Sequence, residues 1–453
     1  MDHQIYFPRV LIVGASFDSI TGYGITLSNL FRGWPKDRLA VIGDLKDYPN
    51  AEICNQYYRL AADEYYYIWP LSFIKHKRKS GGVNLELETS GYRFSSEINN
   101  IWQRNTGHVR TQGLIWKMIY AIDDIVGSDR AMRRIRLSST LFEWTKRYCP
   151  DLIYTQGDCL LNISLVNQLV ETFHIPFVIH MMDDWPSTLY ADKLLAPYLR
   201  WRLNKDFLDL LNRSSGFMGI SQKMCEVYQQ RYQRPCIPFH NPLDLESWLN
   251  YSKRDWRAGK PFRIMYRGRI GKAIQTSLID ICDAVSELFQ DGRAIQFDII
   301  PTPTCDANMR RLIERSGCVK VNSPIPYKGV PASLANADLL VLSYDFDPDS
   351  VEFIRYSMPT KASEFMVSGT PVLIYGKEDL AITEFAQKEK WGYTVSERNI
   401  ELLKQGLIKL MEDQSLRERL GRRAHELAVR NYDAIRVRES FRHILASATN
   451  CRQ

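Results

Sequence analysis

Short, continuous apolar runs alternate with helical patterns along almost the whole chain, and this alternation constrains the fold more than any other feature. Residues 10–13, 152–154, 177–180 and 217–220 read as buried strands, as do 264–266, 297–300, 339–342 and 372–375. Helical spacing lies between them. Over 276–290 it places Leu278, Ile281, Cys282, Val285 and Leu288 on one face. Strands that are apolar at every position must be covered on both sides, which calls for βαβ units and parallel sheets.

The series restarts once. Residues 241–260 are polar, contain Pro and Gly, and show no strand pattern, so they read as a linker between two α/β domains. A new strand, turn and helix follow at Phe262. The expected division is 1–245 for a first domain and 246–430 for a second, with a final helix over 431–453 that crosses back. Arg and Glu with apolar spacing predict that 413–443 is helical. Residues 53–127 fit the rhythm poorly and read as an insertion in the first domain.

Composition removes several classes. Nine Cys among 453 residues, without paired ligand spacing, read as reduced thiols rather than a disulfide scaffold. No apolar run approaches the ~20 residues of a membrane span, and the first residues lack the order of a signal peptide. A cytoplasmic protein is expected. The net charge of +7 asks for an anionic partner: nucleic acid, a membrane surface or a phosphorylated substrate. Tyr65, Trp69, Lys75, Lys77, Arg78 and Lys79, within the insertion, set aromatics beside cations and would suit an anionic membrane or a solvated loop.

Five places could carry chemistry. After the first strand, Gly22 and Gly24 open a helix, where bare backbone N–H groups can meet an anion at the positive end of the dipole. The spacing is not G-x-G-x-x-G, so a dehydrogenase-type dinucleotide site is not supported. The second domain begins alike: Arg267-Gly268-Arg269-Ile270-Gly271-Lys272 puts three cations and two glycines at the end of a strand. Like charges so crowded favour an anion among them. Further on, Pro359 and Gly369 bracket a short helix on which Lys361 and Glu364 share a face. A phosphate would suit Lys361 in the first turn, and Glu364 could accept hydrogen bonds from vicinal hydroxyls. In the first domain, His180, Asp183 and Asp184 end a central strand, where they could act as a base or stabilise a developing cation. Asp345, Asp347 and Asp349 form a D-x-D-like loop that reads as solvated acids before it reads as a metal site.

Taken together, these segments resemble a glycosyltransferase of the GT-B fold, in the large retaining group called family 4. The glycine loop, HMMDDWP, Gly219-Ile220-Ser221, FHNP at Asn241, GRIGK, VPASLANADLLVLS and PTKASEFMVSGTPV carry the resemblance, the last most specifically. It implies two Rossmann-like domains facing across a cleft. It also implies Arg269, Lys272 and Lys361 on the donor diphosphate, Glu364 on the ribose, and His180 or its neighbouring acids on the sugar and acceptor side. One departure stands out. The group often has two glutamates eight positions apart, and Tyr356 occupies the first of those positions. Ser357-Met358-Pro359-Thr360-Lys361 instead resembles a Ser-x-Pro-x-Lys version, which adds Ser357 to the donor candidates. The expected activity is sugar transfer from a nucleotide-sugar to a glycan or lipid-linked acceptor, with retention and with cations carrying the leaving-group charge, so no metal or other cofactor is expected. An epimerase on the same fold and a basic nucleic-acid-binding protein are the rival readings. The donor-site cations lie dispersed in turns and helix starts, which disfavours nucleic acid.

Overall fold

In the computed structural model, residues 6–18, 21–44, 50–69, 72, 79–88, 91–94, 125–127, 131–302, 305 and 307–450 are described. The chain divides into two compact units. One comprises residues 1–239 with 438–453, and the other 240–437.

The first unit is built on a nine-stranded sheet, in the order Ile237–Pro238, Gly216–Gly219, Phe177–Met181, Leu152–Thr155, Val10–Val13, Leu39–Gly43, Gln56–Arg59, Gly81–Glu88, Gly91–Phe94. The first seven run parallel, in register Val10↔Leu39 and Val10↔Leu152 at the centre. All four residues of Val10–Val13 and of Leu152–Thr155 are buried, as strands covered on both faces must be. The last two strands add antiparallel. Gln56–Arg59 therefore belongs to the main sheet, and the expected insertion begins later than residue 53. Its tyrosines at 57 and 58 disguise a strand that is nonetheless buried. A separate ribbon pairs Tyr65–Tyr67 with Arg133–Ile135.

The second unit holds six parallel strands in the order Val319–Val321, Ile295–Pro301, Phe262–Gly268, Leu339–Ser343, Val372–Tyr375, Tyr393–Val395. Numbered along the chain this is 3-2-1-4-5-6, the doubly wound order. The parallel strands of the first unit follow the same order with one more at the end. Each order reverses between the first and fourth strands, the switch point where the carboxyl ends open a crevice for ligands.

Residues 241–260 do not form a linker. Trp248 and Trp256 are buried, and Trp256 Nε1 donates to the Gly369 carbonyl at 2.9 Å. Lys253 Nζ donates to the carbonyls of Ala335 and Ala337. Two tryptophans among polar residues leave no periodic signal, yet they pin the segment to the second unit. The helical tail is also broken. Gln414–Asn431 ends at Tyr432, where Leu243 N–H donates to the Tyr432 carbonyl and Ala434 N–H to that of Leu243, and Ala434–Thr449 begins. From Arg438 this helix belongs to the first unit, and Phe441 packs against Phe31, Tyr154 and Phe239.

Candidate functional site

In the second unit, strand Phe262–Gly268 delivers its last residues to the start of helix Thr360–Ser368. Pro359 sets the extended entry, no side chain caps the helix, and Gly369 closes it at φ +71°. Lys361 lies in the first turn with Nζ 4.3 Å from the centroid of the Tyr266 ring. The Tyr266 hydroxyl donates to the Arg269 carbonyl at 2.6 Å and so holds the turn. Gly268 has φ +147°, and a Cβ there would stand 2.8 Å from Lys361 Nζ. The backbone angle calls for glycine, and any larger residue would also push the Lys361 ammonium aside.

Arg267 donates to Glu364 Oε2 at 2.9 Å. Burial lowers the Lys361 ammonium to about 7, helped by the neighbouring cations Arg267 and Arg269 and opposed by Glu364. Burial likewise raises the Glu364 carboxyl, against the pull of Arg267 and Lys361. The arrangement is a desolvated cation at an uncapped helix N-terminus, with a buried carboxylate held by Arg267 one turn on. An anion seated there would restore the ammonium's charge and meet the helix dipole.

Lys361 and Glu364 share one face, as their spacing predicts, and Arg269 joins them. Lys272 does not. It is exposed, 5.2 Å from the Phe353 ring and beside Asp347, whose carboxyl is lowered chiefly by hydrogen bonds from Ser350 and only slightly by Lys272. Ser357 lies half-buried just before the helix, its N–H donating to the Ile354 carbonyl. Nothing in its run of cations singles out Arg267. The pairing became visible only once strand alternation turned its side chain toward Glu364. His240 is a second residue missed. Both ring nitrogens are buried without a hydrogen-bond partner among the described residues, against Met358 and Pro359, and burial lowers the ring to about 4. Asn241 beside it is buried and contacts Thr360 and Ser363 through side chain and carbonyl.

In the first unit, Gly22 and Gly24 begin helix Gly22–Leu30, whose N-terminus is met by the chain itself. Thr21 Oγ1 accepts from Gly24 N–H, and Asp18 accepts from both the N–H and the hydroxyl of Thr21. A Cβ on Gly24 would fall 2.0 Å from Asp18 Oδ2, so this glycine makes room for a carboxylate. His180 is fully buried. Its Nδ1 is 2.6 Å from the Tyr154 hydroxyl, its Nε2 is unpartnered among the described residues, and burial lowers the ring to about 3. Asp184 is buried and accepts from the Tyr228 hydroxyl and from Arg231. Asp183 is exposed. The strand end thus brings the three candidates close in sequence but into three environments.

Tyr65 is buried, its hydroxyl bonded to Asp44 and its ring under Arg133, so it does not line an outer surface. Trp69 is 84% exposed. Lys75, Lys77 and Arg78 lie outside the described residues; Lys79 gives its carbonyl to Arg59. The D-x-D loop is engaged at helix starts. Asp345 accepts from Ser277 N–H and Asp347 caps helix Pro348–Ile354 through Ser350 N–H. Among the described residues no group of three or more His, Cys, Asp or Glu is placed to hold a metal ion. Among the same residues no helix is long and apolar enough to cross a membrane.

No protein-family model and no curated protein sequence matches the chain. Solved structures do. HepE of Anabaena, in complex with UDP-glucose, superposes with a TM-score of 0.58 at 14% identity over 97% of this chain and 99% of that one. Sucrose-phosphate synthase of Thermosynechococcus elongatus gives 0.59 at 15% identity, covering 98% and 100%. A TarM variant of S. aureus, in complex with fondaparinux, α-GlcNAc-glycerol and UDP, gives 0.55 at 11%, covering 97% and 100%. The chain has the GT-B fold. The likeness spans both units.

Proposed function

We propose that this chain is a glycosyltransferase that moves a sugar from a nucleotide-sugar to a glycan or lipid-linked acceptor with retention of anomeric configuration. The observation that carries the reading is the Lys361 cluster: a desolvated lysine, Arg269 and an uncapped helix N-terminus at the carboxyl end of a first strand. Support also comes from neighbours of the same fold solved with UDP or UDP-glucose.

In this reading the departing diphosphate gathers charge as the glycosidic bond breaks. Lys361, Arg269 and the N–H groups of helix Thr360–Ser368 meet that charge in a fixed geometry. Glu364, oriented by Arg267, accepts hydrogen bonds from the ribose hydroxyls. The sugar passes through an oxocarbenium-like state, which a nearby carboxylate stabilises. Among the first-unit candidates, Asp183 has the exposure this role needs. His180 stays neutral and packed, which suits a scaffold residue. The cations take the role a metal would otherwise fill in neutralising the leaving group.

A thermal-shift screen with UDP-, GDP- and ADP-sugars, with and without chelator, tests the proposal. One nucleotide-sugar should stabilise the protein, and Lys361→Ala and Glu364→Gln should each reduce that shift. Absence of any shift refutes a donor site. Formation of an epimerised donor without acceptor would make the chain an epimerase instead.

A further inference from the structure

Helix Ala196–Arg213 has two apolar sides where a surface helix ordinarily has one. Leu199, Leu203, Phe207, Leu210 and Leu211 are buried in the first unit. On the outer side Tyr198 is 45% exposed, Trp201 62% and Leu208 40%, and Leu194, just before the helix, is 72% exposed. With Lys205, these positions follow one another at spacings of four and three, so they form one stripe. Ile125, 66% exposed, extends it, since its carbonyl accepts from Leu194 N–H. A lone exposed Leu needs no explanation, but a row of large apolar side chains interrupted only by Lys205 does.

The charges beside the stripe are mostly positive. Lys205 is exposed within it, 5.8 Å from the Trp201 ring. Arg134 lies within electrostatic reach of Tyr198, Tyr66 and Arg202. Arg136 stands 5.9 Å from the Tyr66 ring. Of the acids on the helix, Asp206 is paired with Arg202 at 3.5 Å, and Asp209 is exposed. Tyr66 sits on the ribbon strand that leads to the exposed Trp69.

We propose that this face is an interfacial anchor for an anionic lipid bilayer. Leu194, Leu208 and Ile125 would enter the acyl boundary, Tyr198 and Trp201 would sit at headgroup depth, and Lys205 and Arg136 would reach the lipid phosphates. Aliphatic side chains decide between a bilayer and a bound glycan. They gain from acyl chains and offer nothing to sugar hydroxyls. The proposal is independent of the donor site, which lies in the other unit.

Flotation of the full chain with phosphatidylcholine vesicles carrying about 30% phosphatidylglycerol tests it. The native protein should float, and Tyr198→Ser with Trp201→Ser should partition at least ~10-fold more weakly at an unchanged unfolding temperature. Lys205→Glu should weaken binding to anionic vesicles and flatten its salt dependence. A variant with Lys75, Lys77 and Arg78 changed to Ala should still depend on Trp201, which separates this face from that basic run. The idea is overturned if the native protein stays with the soluble fraction, or if the Tyr198/Trp201 double variant floats equally well. It is also overturned if a soluble anionic glycan, and not vesicles, shields Trp201 from a fluorescence quencher.

Discussion

Donor binding should carry a proton with it. In the ligand-free protein burial holds Lys361 at about 7. At pH 8 only about a tenth of the molecules then have a charged Lys361, whereas a phosphate against Nζ would restore an ordinary ammonium near 10.4. Binding of a nucleoside diphosphate at pH 8 should therefore take up about 0.9 proton, against about 0.1 at pH 6. The ligand's own terminal phosphate, with a pKa near 6, is already ionised at pH 8 and adds little. Linkage fixes the sign of the affinity change. The charged form binds, so affinity falls as pH rises through about 7, by about 50-fold between pH 7 and pH 9, or ~2.3 kcal/mol. Isothermal titration with UDP, GDP and ADP, repeated in buffers of different ionisation enthalpy, reads the proton count directly. Lys361→Met should bind more weakly, with no uptake and a flat pH profile. Proton uptake in that variant, or none in the native protein at pH 8, would show that Lys361 does not meet the diphosphate.

Three further outcomes follow from the same geometry. Arg267→Ala leaves the Glu364 carboxylate buried without its partner and should destabilise the second unit by about 3–5 kcal/mol in denaturant unfolding, with Arg267→Lys intermediate. Gly421→Ala would set a Cβ 2.2 Å from the Gly369 carbonyl and 2.4 Å from Trp256 Nε1, so helix Gln414–Asn431 must shift; a loss of about 1–3 kcal/mol is expected in thermal unfolding. For His180, whose folded value lies near 3, the unfolded chain binds the extra proton between roughly pH 6.5 and 3. Stability of the first unit should fall with acid across that window, with a slope up to about 1.4 kcal/mol per pH unit. His180→Phe should remove that slope, and acid unfolding followed by circular dichroism would show it; an unchanged slope would rule out His180 as its source.

What the candidate site shows about legibility depends on where each residue's signal lies. Lys361 and Glu364 sit within one helix and Gly369 just past its end, so spacing alone puts the first two on a face and the third at the stop. Lys272 and Arg267 come from a loop and a strand end, where neighbouring residues point apart. The sequence could not say which cation turns toward the helix, and the structure selects Arg267 while sending Lys272 to Phe353. At the glycine loop, glycine at a helix start signals close approach, and at Gly24 the group that approaches is the carboxylate of Asp18.

The alternation of apolar runs determined, by itself, two parallel α/β units, because a strand buried on both faces leaves a local pattern that survives without coordinates. Tertiary structure decided what has no local pattern. Trp248 and Trp256 turned a polar stretch into part of a core, and Tyr57 and Tyr58 made a strand of an irregular segment. Packing of His180 against Tyr154 removed it from solvent, whereas Tyr198 and Trp201 were left in it. Burial is a property of what the rest of the chain brings alongside, and it sets both the charge on Lys361 and the exposure of the outer stripe.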